Sequence, residues 1–244
     1  MTVLEAGKKT LGSLELAQMI DISAVQAFHA EADIRSLAEI ATANHFVAAH
    51  ALPHFVPLLR SLIPSGERTL VGGPVGFPSG GHATRTKIAE GRQLARDGAE
   101  ELDMMINVGR LKSGDVAYVR DEIRAVVEAI APVPLKVILE IAYLTDDEIK
   151  QACQIVVASG AAFVKTGTGW TPGGATVERI RLIAGLVKGA VGLKASGGIR
   201  SLETVATMVA LGVTRFGVNT RSAVELVREC AGLPGGVLPI PALG

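Results

Sequence analysis

Cysteine is scarce in this sequence: Cys153 and Cys230 are the only two, and neither lies in a CxxC or Cys/His cluster. They cannot build a disulfide framework, and their apolar surroundings, QACQIVVA and LVRECAG, assign both to helix packing. A surplus of one charge is also missing, since 24 Lys and Arg balance 24 Asp and Glu. Without a net basic field, nothing draws the chain to nucleic acid or to an anionic membrane surface. No uninterrupted apolar stretch approaches the ~20 residues of a membrane helix. The opening segment, MTVLEAGKKTLGSLELAQ, scatters charges where a signal peptide needs an apolar centre. The expectation is a soluble, cytoplasmic protein. No set of His, Cys and Glu has ligand-like spacing, which predicts neither a metal site nor a cofactor.

What is abundant is Ala, Val, Ile, Leu and Gly, the composition of helices packed on a parallel sheet. Short apolar runs alternate with helix-period segments along the whole chain. The strand candidates are 17–22, 46–52, 69–74, 101–107, 135–140, 161–167, 191–196 and 215–219. Their spacing, roughly 20 to 35 residues, is that of a βα unit. Thr145 to Glu148 forms a capping box opening a helix that Gly160 closes. Ser201 caps a second helix that ends at Gly212. Pro53 occupies the first turn of HFVPLLRSLI, with Pro57 limiting that element's length. The pattern predicts an α/β fold, a single (β/α)8 TIM barrel over residues 1–244. The alternative, an open doubly wound sheet, lacks a strand-following GxGxxG.

Lysine and aspartate are rarely buried without partners. Asp103, Lys136, Lys165 and Lys194 nevertheless interrupt four successive apolar strands. One such lysine is explained by snorkelling past a helix. Four charges on neighbouring barrel strands call for a shared interior site. Lys165 and Lys194 would destabilise each other's ammonium form and lower a pKa. A neutral amine attacks an aldehyde, and the resulting iminium is an electron sink for carbon–carbon cleavage or formation. Asp103 can exchange protons directly or through water, and Lys136 can hold a water or hydroxyl. Gly197 and Gly198 follow the seventh strand, and Gly217, Asn219 and Thr220 follow the eighth, where barrels commonly bind phosphate. Gly167 and Gly169 add a flexible loop after the sixth.

Segments 75–115, LKVILEIAYLT (135–145), FVKTGTGWTPGGATVE (163–178) and LKASGGIRSLE (193–203) together resemble the deoxyribose-phosphate aldolase family over nearly the whole chain. The resemblance implies a class I aldolase barrel that reversibly joins acetaldehyde to glyceraldehyde 3-phosphate. It makes Lys165 the Schiff-base lysine and Lys194 the neighbour that perturbs it, with Asp103 and Lys136 at the remaining polar catalytic positions. Thr168 would lie near substrate hydroxyls, and Gly169, Gly197, Gly198, Gly217, Asn219 and Thr220 in phosphate-binding loops. It also implies a homodimer acting on small aldehydes and sugar phosphates.

The sequence departs from the family in places. The first strand reads Asp21-Ile22-Ser23 where the family often has Asp-His-Thr, so Asp21 and Ser23 are kept as substrate-binding candidates. His50 stands where a cysteine is frequent, and its strand end should face the site. Ile141 replaces a threonine, Asn219-Thr220 replaces Ser-Ser or Ser-Gly, and the tail GGVLPIPALG has no tyrosine. These changes leave open a paralogous Schiff-base aldolase with another aldehyde pair. A silent sugar-phosphate-binding barrel and a phosphate-binding isomerase are further alternatives. His29, His45, His54 and His82 are expected on the surface or in loops, and Trp170 in packing.

Overall fold

The structure, a computed structural model, describes residues 9–242. The first eight residues of the charge-scattered N-terminal segment lie outside that range. The chain opens with β1 (Thr10–Gly12) and α1 (Ser13–Ala17), and then eight parallel strands close into a barrel. These are β2 (Ile20–Ala24), β3 (Ala48–Ala51), β4 (Leu70–Val75), β5 (Glu101–Met105), β6 (Leu135–Ile138), β7 (Phe163–Lys165), β8 (Gly192–Ser196) and β9 (Arg215–Gly217). β9 closes the ring on β2, with Ile20 opposite Phe216 and Asp21 opposite Gly217.

Helices fill the connections: α2 (Glu31–Ala43), α3 (Val56–Leu62), α4 (Thr84–Arg96), α5 (Val108–Lys112), α6 (Val116–Ile130), α7 (Asp146–Ala158), α8 (Val177–Val187), α9 (Leu202–Ala210) and α10 (Thr220–Ala231). The two expected caps are present. Glu148 N–H donates to Thr145 Oγ1 at 3.3 Å while Thr145 N–H donates to the Glu148 carboxylate at 2.8 Å. Thr204 N–H donates to Ser201 Oγ at 3.2 Å. Gly160 and Gly212 then take the positive φ values, +78° and +102°, that a side chain would resist.

Three local expectations change. The first strand starts at Ile20 rather than 17, because residues 13–17 wind as α1 and Glu15 reaches back to accept from Gly12 N–H at 2.8 Å. HFVPLLRSLI is not one helix from Pro53: a 3-10 turn spans Pro53–Phe55, and α3 begins at Val56 with Pro57 in its first turn. Pro57 therefore serves the helix start, where a missing N–H costs little. The tail forms β10 (Val237–Pro239), antiparallel to β1, an element that the sequence pattern does not announce.

Strand parity divides the barrel into two environments. Leu102, Met104, Val137, Val164, Leu193 and Phe216 alternate with the charged interior residues and join the main apolar cluster. Each such buried side chain stabilises the fold by ~1.5–3 kcal/mol relative to exposure. Cys153 and Cys230 are buried free thiols, as their contexts predict, and burial pushes the Cys153 thiol up to about 12. Among the described residues no helix is long and apolar enough to cross a membrane.

Candidate active site

Register brings the expected charges together. Asp103 lies opposite Lys136, and Lys165 opposite Lys194. Lys165 Nζ donates to Asp103 Oδ2 at 2.7 Å, and Lys194 Nζ donates to the same oxygen at 2.8 Å. Lys194 also sits 2.5 Å from Asp21. Lys136 lies 3.2 Å from the other Asp103 oxygen and 2.5 Å from Glu101. Arg215 completes the set, pairing with Glu101 at 3.0 Å and with Asp21. Glu101 and Arg215 are absent from the sequence-based candidates. The signal was available: Glu101 is two residues from Asp103 and shares its face, and Arg215 opens the last apolar strand.

Charge counting selects one lysine for reactivity. Four cations, Lys136, Lys165, Lys194 and Arg215, face three carboxylates, Asp21, Glu101 and Asp103. Releasing one proton leaves the interior balanced. Lys194 has two carboxylate partners while Lys165 has one. Burial lowers the Lys165 ammonium to about 8, with Lys194 adding to the fall and Asp103 opposing it. Burial acts on Lys194 too, but Asp103 and Asp21 outweigh it and raise its pKa. The expected lowering of a pKa falls on Lys165 and not on Lys194, because the carboxylates are shared unequally. Burial would raise the Asp103 carboxyl, yet Lys136, Lys165 and Lys194 hold it well below the usual range.

A cavity of about 530 Å³ opens above this network. Lys165, Lys194 and Asp103 lie on its wall, with the Lys165 side chain 12% exposed. Lys136, expected to hold a water or hydroxyl, does not line the cavity: it is fully buried and pairs with Asp103 and Glu101 from beneath. Asp21, Ser23 and His50 line one side, and Thr168 and Gly169 the side above β7. Gly197 and Gly198 follow β8, while Gly217 at the end of β9 and Asn219 and Thr220 beyond it complete the wall.

Residues 17–219 match the DeoC/LacD family aldolases. The chain belongs to that family. It is 71% identical over 231 residues to the deoxyribose-phosphate aldolase of Sinorhizobium medicae (strain WSM419), covering 95% of this chain and 93% of the relative. The Klebsiella pneumoniae deoxyribose-phosphate aldolase is 49% identical over 216 residues, 87% of this chain and 86% of its own. The tetrameric deoxyribose phosphate aldolase from Aeropyrum pernix superposes with a TM-score of 0.81 at 27% identity, covering 91% of this chain and 93% of that one.

Several walls of this DeoC/LacD aldolase are built differently from expectation. His50 borders the cavity but is only 4% exposed, and its Nε2 lies 2.9 Å from Glu101. It reaches across Gly72, which stands between them in register and whose absent Cβ leaves room for the ring. Burial lowers the His50 pKa, with Asp103 opposing. Asn219 spends its side chain capping α10: Oδ1 accepts from Ser222 N–H at 3.0 Å, and Nδ2 donates to Ser222 Oγ at 3.1 Å. What that loop offers an anion is the first-turn N–H groups of α10.

Gly167 is not a flexible link but a buried glycine packed against the Glu140 carboxylate, where a Cβ would collide. Glu140 sits in the left-handed region at φ +54° and accepts from Thr168 N–H at 3.2 Å, Thr171 Oγ1 at 3.0 Å and Thr168 Oγ1. It thereby fixes the loop that carries Thr168. Trp170 packs edge-on against Phe77 at 5.4 Å, as a packing residue should. His29, expected on the surface or in a loop, lies in the loop between β2 and α2, and there it lines the cavity.

Asp21, His50 and Glu101 bring three potential metal donors within 4.8 Å of one another. Lys136, Lys194 and Arg215 already contact the two carboxylates. A divalent cation there would meet three positive side chains, so the donor set does not suit one.

Proposed function

We propose that this aldolase reversibly cleaves 2-deoxy-D-ribose 5-phosphate to acetaldehyde and D-glyceraldehyde 3-phosphate through a Schiff base on Lys165. The observation that carries the reading is a cavity-facing amine, lowered to about 8 and hydrogen-bonded to an ionised carboxylate. Kinship at 71% identity to a deoxyribose-phosphate aldolase supports the substrate.

The neutral Lys165 amine adds to the C1 aldehyde, and loss of water gives an iminium. The C3 hydroxyl then yields its proton as the C2–C3 bond breaks. The bond's electron pair enters the iminium, forming an enamine, and glyceraldehyde 3-phosphate leaves. Return of a proton to C2 and addition of water release acetaldehyde and restore the amine. Asp103 serves these transfers directly or through water, and Lys194 holds Asp103 in place while lowering Lys165. Lys136 anchors Asp103 from below. Thr168 and Ser23 face the substrate hydroxyls. Gly169, Gly197, Gly198, Gly217 and Thr220 present backbone N–H groups near the phosphate, with Asp21 and His50 shaping the opposite wall.

We further infer that residues 1–244 act as one barrel domain in a cytoplasmic homodimer. Analytical ultracentrifugation decides the oligomeric state, and a tetramer, the state of the Aeropyrum pernix enzyme, would replace the dimer. The substrate test is cleavage of 2-deoxyribose 5-phosphate against deoxyribose and other phosphosugars. Comparable kcat/KM with and without phosphate would point instead to an aldolase with another aldehyde pair. EDTA is expected to leave the rate unchanged, and metal-restorable inhibition would contradict the mechanism.

A further inference from the structure

We infer that His29 is a specificity-determining residue whose Nε2–H binds a phosphoryl oxygen of the substrate. The inference rests on the proposed phosphorylated substrate. His29 lies on the β2–α2 connection and lines the same cavity as Lys165. The backbone N–H of Gln26 donates to its Nδ1 at 3.1 Å. Nδ1 therefore contributes a lone pair to that bond, and the hydrogen of this ring form sits on Nε2. The ring also makes an edge contact with the exposed Phe28, centroid to centroid 5.0 Å at 69°. The hydrogen bond from Gln26 thus orients the ring of a residue on the cavity wall, and no hydrogen bond within the described residues engages Nε2.

Strand order says which end of the substrate this donor meets. β2 pairs with β9, so the loop bearing His29 adjoins the start of α10, where Thr220 and Arg221 line the cavity. β8 follows, with Gly198 and Arg200, and only then β7 with Lys165. The substrate's aldehyde end is committed to Lys165. Its other end then falls among helix N–H groups, two arginines and His29, a set of donors suited to a phosphate monoester dianion. Besides His29, the 24–30 segment carries one polar side chain, Gln26, which also lines the cavity, and the other residues are Ala, Val and Phe28.

The test compares wild type, His29→Ala and His29→Gln, whose amide nitrogen extends about as far as Nε2 and also donates. Each protein is first shown to trap acetaldehyde with borohydride, which establishes an intact site. Cleavage of 2-deoxyribose 5-phosphate and of 2-deoxyribose is then measured, with inorganic phosphate as an inhibitor of the first reaction. In His29→Ala the ratio of the two kcat/KM values is expected to fall about tenfold, the scale of one hydrogen bond to a charged group. The loss should lie mainly in KM, inhibition by phosphate should weaken in parallel, and His29→Gln should recover most of the ratio. A wild-type preference for the phosphorylated sugar that survives intact in His29→Ala overturns the role of His29 alone. Absence of that preference in wild type overturns the phosphate reading of the cavity, and this inference with it.

Discussion

Lys165 and Asp103, 62 residues apart in sequence, share a 2.7 Å hydrogen bond at the floor of the cavity. The Asp103 oxygen involved also receives Lys194, so the carboxylate divides its stabilisation between two ammonium groups. Asp21 adds a second partner for Lys194 only. This inequality is what lets one lysine release a proton while its neighbour keeps its own. Reactivity here follows from how anions are apportioned among cations.

The pH dependence of the reaction should follow Lys165. With its pKa at about 8, kcat/KM is expected to rise with pH through that value and level off above it. At pH 7 about a tenth of the amine is free, against roughly three parts in ten thousand at the ordinary lysine value. A profile that is flat from about pH 6 to 9 would remove Lys165 as the titrating nucleophile.

Two neutralising substitutions should move that limb in opposite directions. Lys194→Met removes a neighbouring positive charge that lowers Lys165, so the limb shifts to more alkaline pH and the rate at pH 7 falls. Asp103→Asn removes the negative charge that raises it, so the limb shifts to more acid pH. The same Asn variant should lose about 10²–10⁴ in kcat, the usual scale for a lost acid–base group. Shifts of the same sign in both variants would show that direct charge coupling does not set the nucleophile's pKa.

Arg215 is expected to matter for folding. It is 6% exposed and bridges Asp21 and Glu101. Arg215→Met leaves two buried carboxylates short of a partner, a change that costs about 3–5 kcal/mol in comparable sites. Urea unfolding of the variant should show a markedly lower midpoint, and a wild-type midpoint would mean that the remaining lysines rebalance the interior unaided.

Gly72→Ala tests how His50 reaches Glu101. The added methyl would overlap the His50 imidazole, with an expected loss of about 1–3 kcal/mol from overpacking. In a double-mutant cycle, His50→Ala should remove most of that penalty. Additive losses would place the strain elsewhere.

The barrel itself was legible because its eight strands are near-continuous apolar runs at βα spacing, the pattern that burial on both faces produces. Asp103, Lys165 and Lys194 were legible because charge inside such runs has no bland explanation when it recurs on adjacent strands. Glu101 and Arg215 escaped because they stand at strand ends, where a charged residue ordinarily faces water. His50 was placed at the cavity, but its partner depended on Gly72 lying between, a matter of register across strands. Lys136 looked equivalent to Lys165 in sequence, and its position farther from the β6 C-terminus, below the register of Lys165 and Ile138, separated their roles. His29 sits in an irregular loop whose path no periodicity reports.

Acetaldehyde trapping with borohydride, followed by peptide mass spectrometry, bears most directly on the Lys165 Schiff base. Reduction should leave an N-ethyl group on the peptide containing Lys165, with loss of activity in step with labelling. The adduct should be absent from Lys165→Ala. No adduct on wild type, or labelling that persists undiminished at another lysine in Lys165→Ala, would contradict a Schiff base at this position.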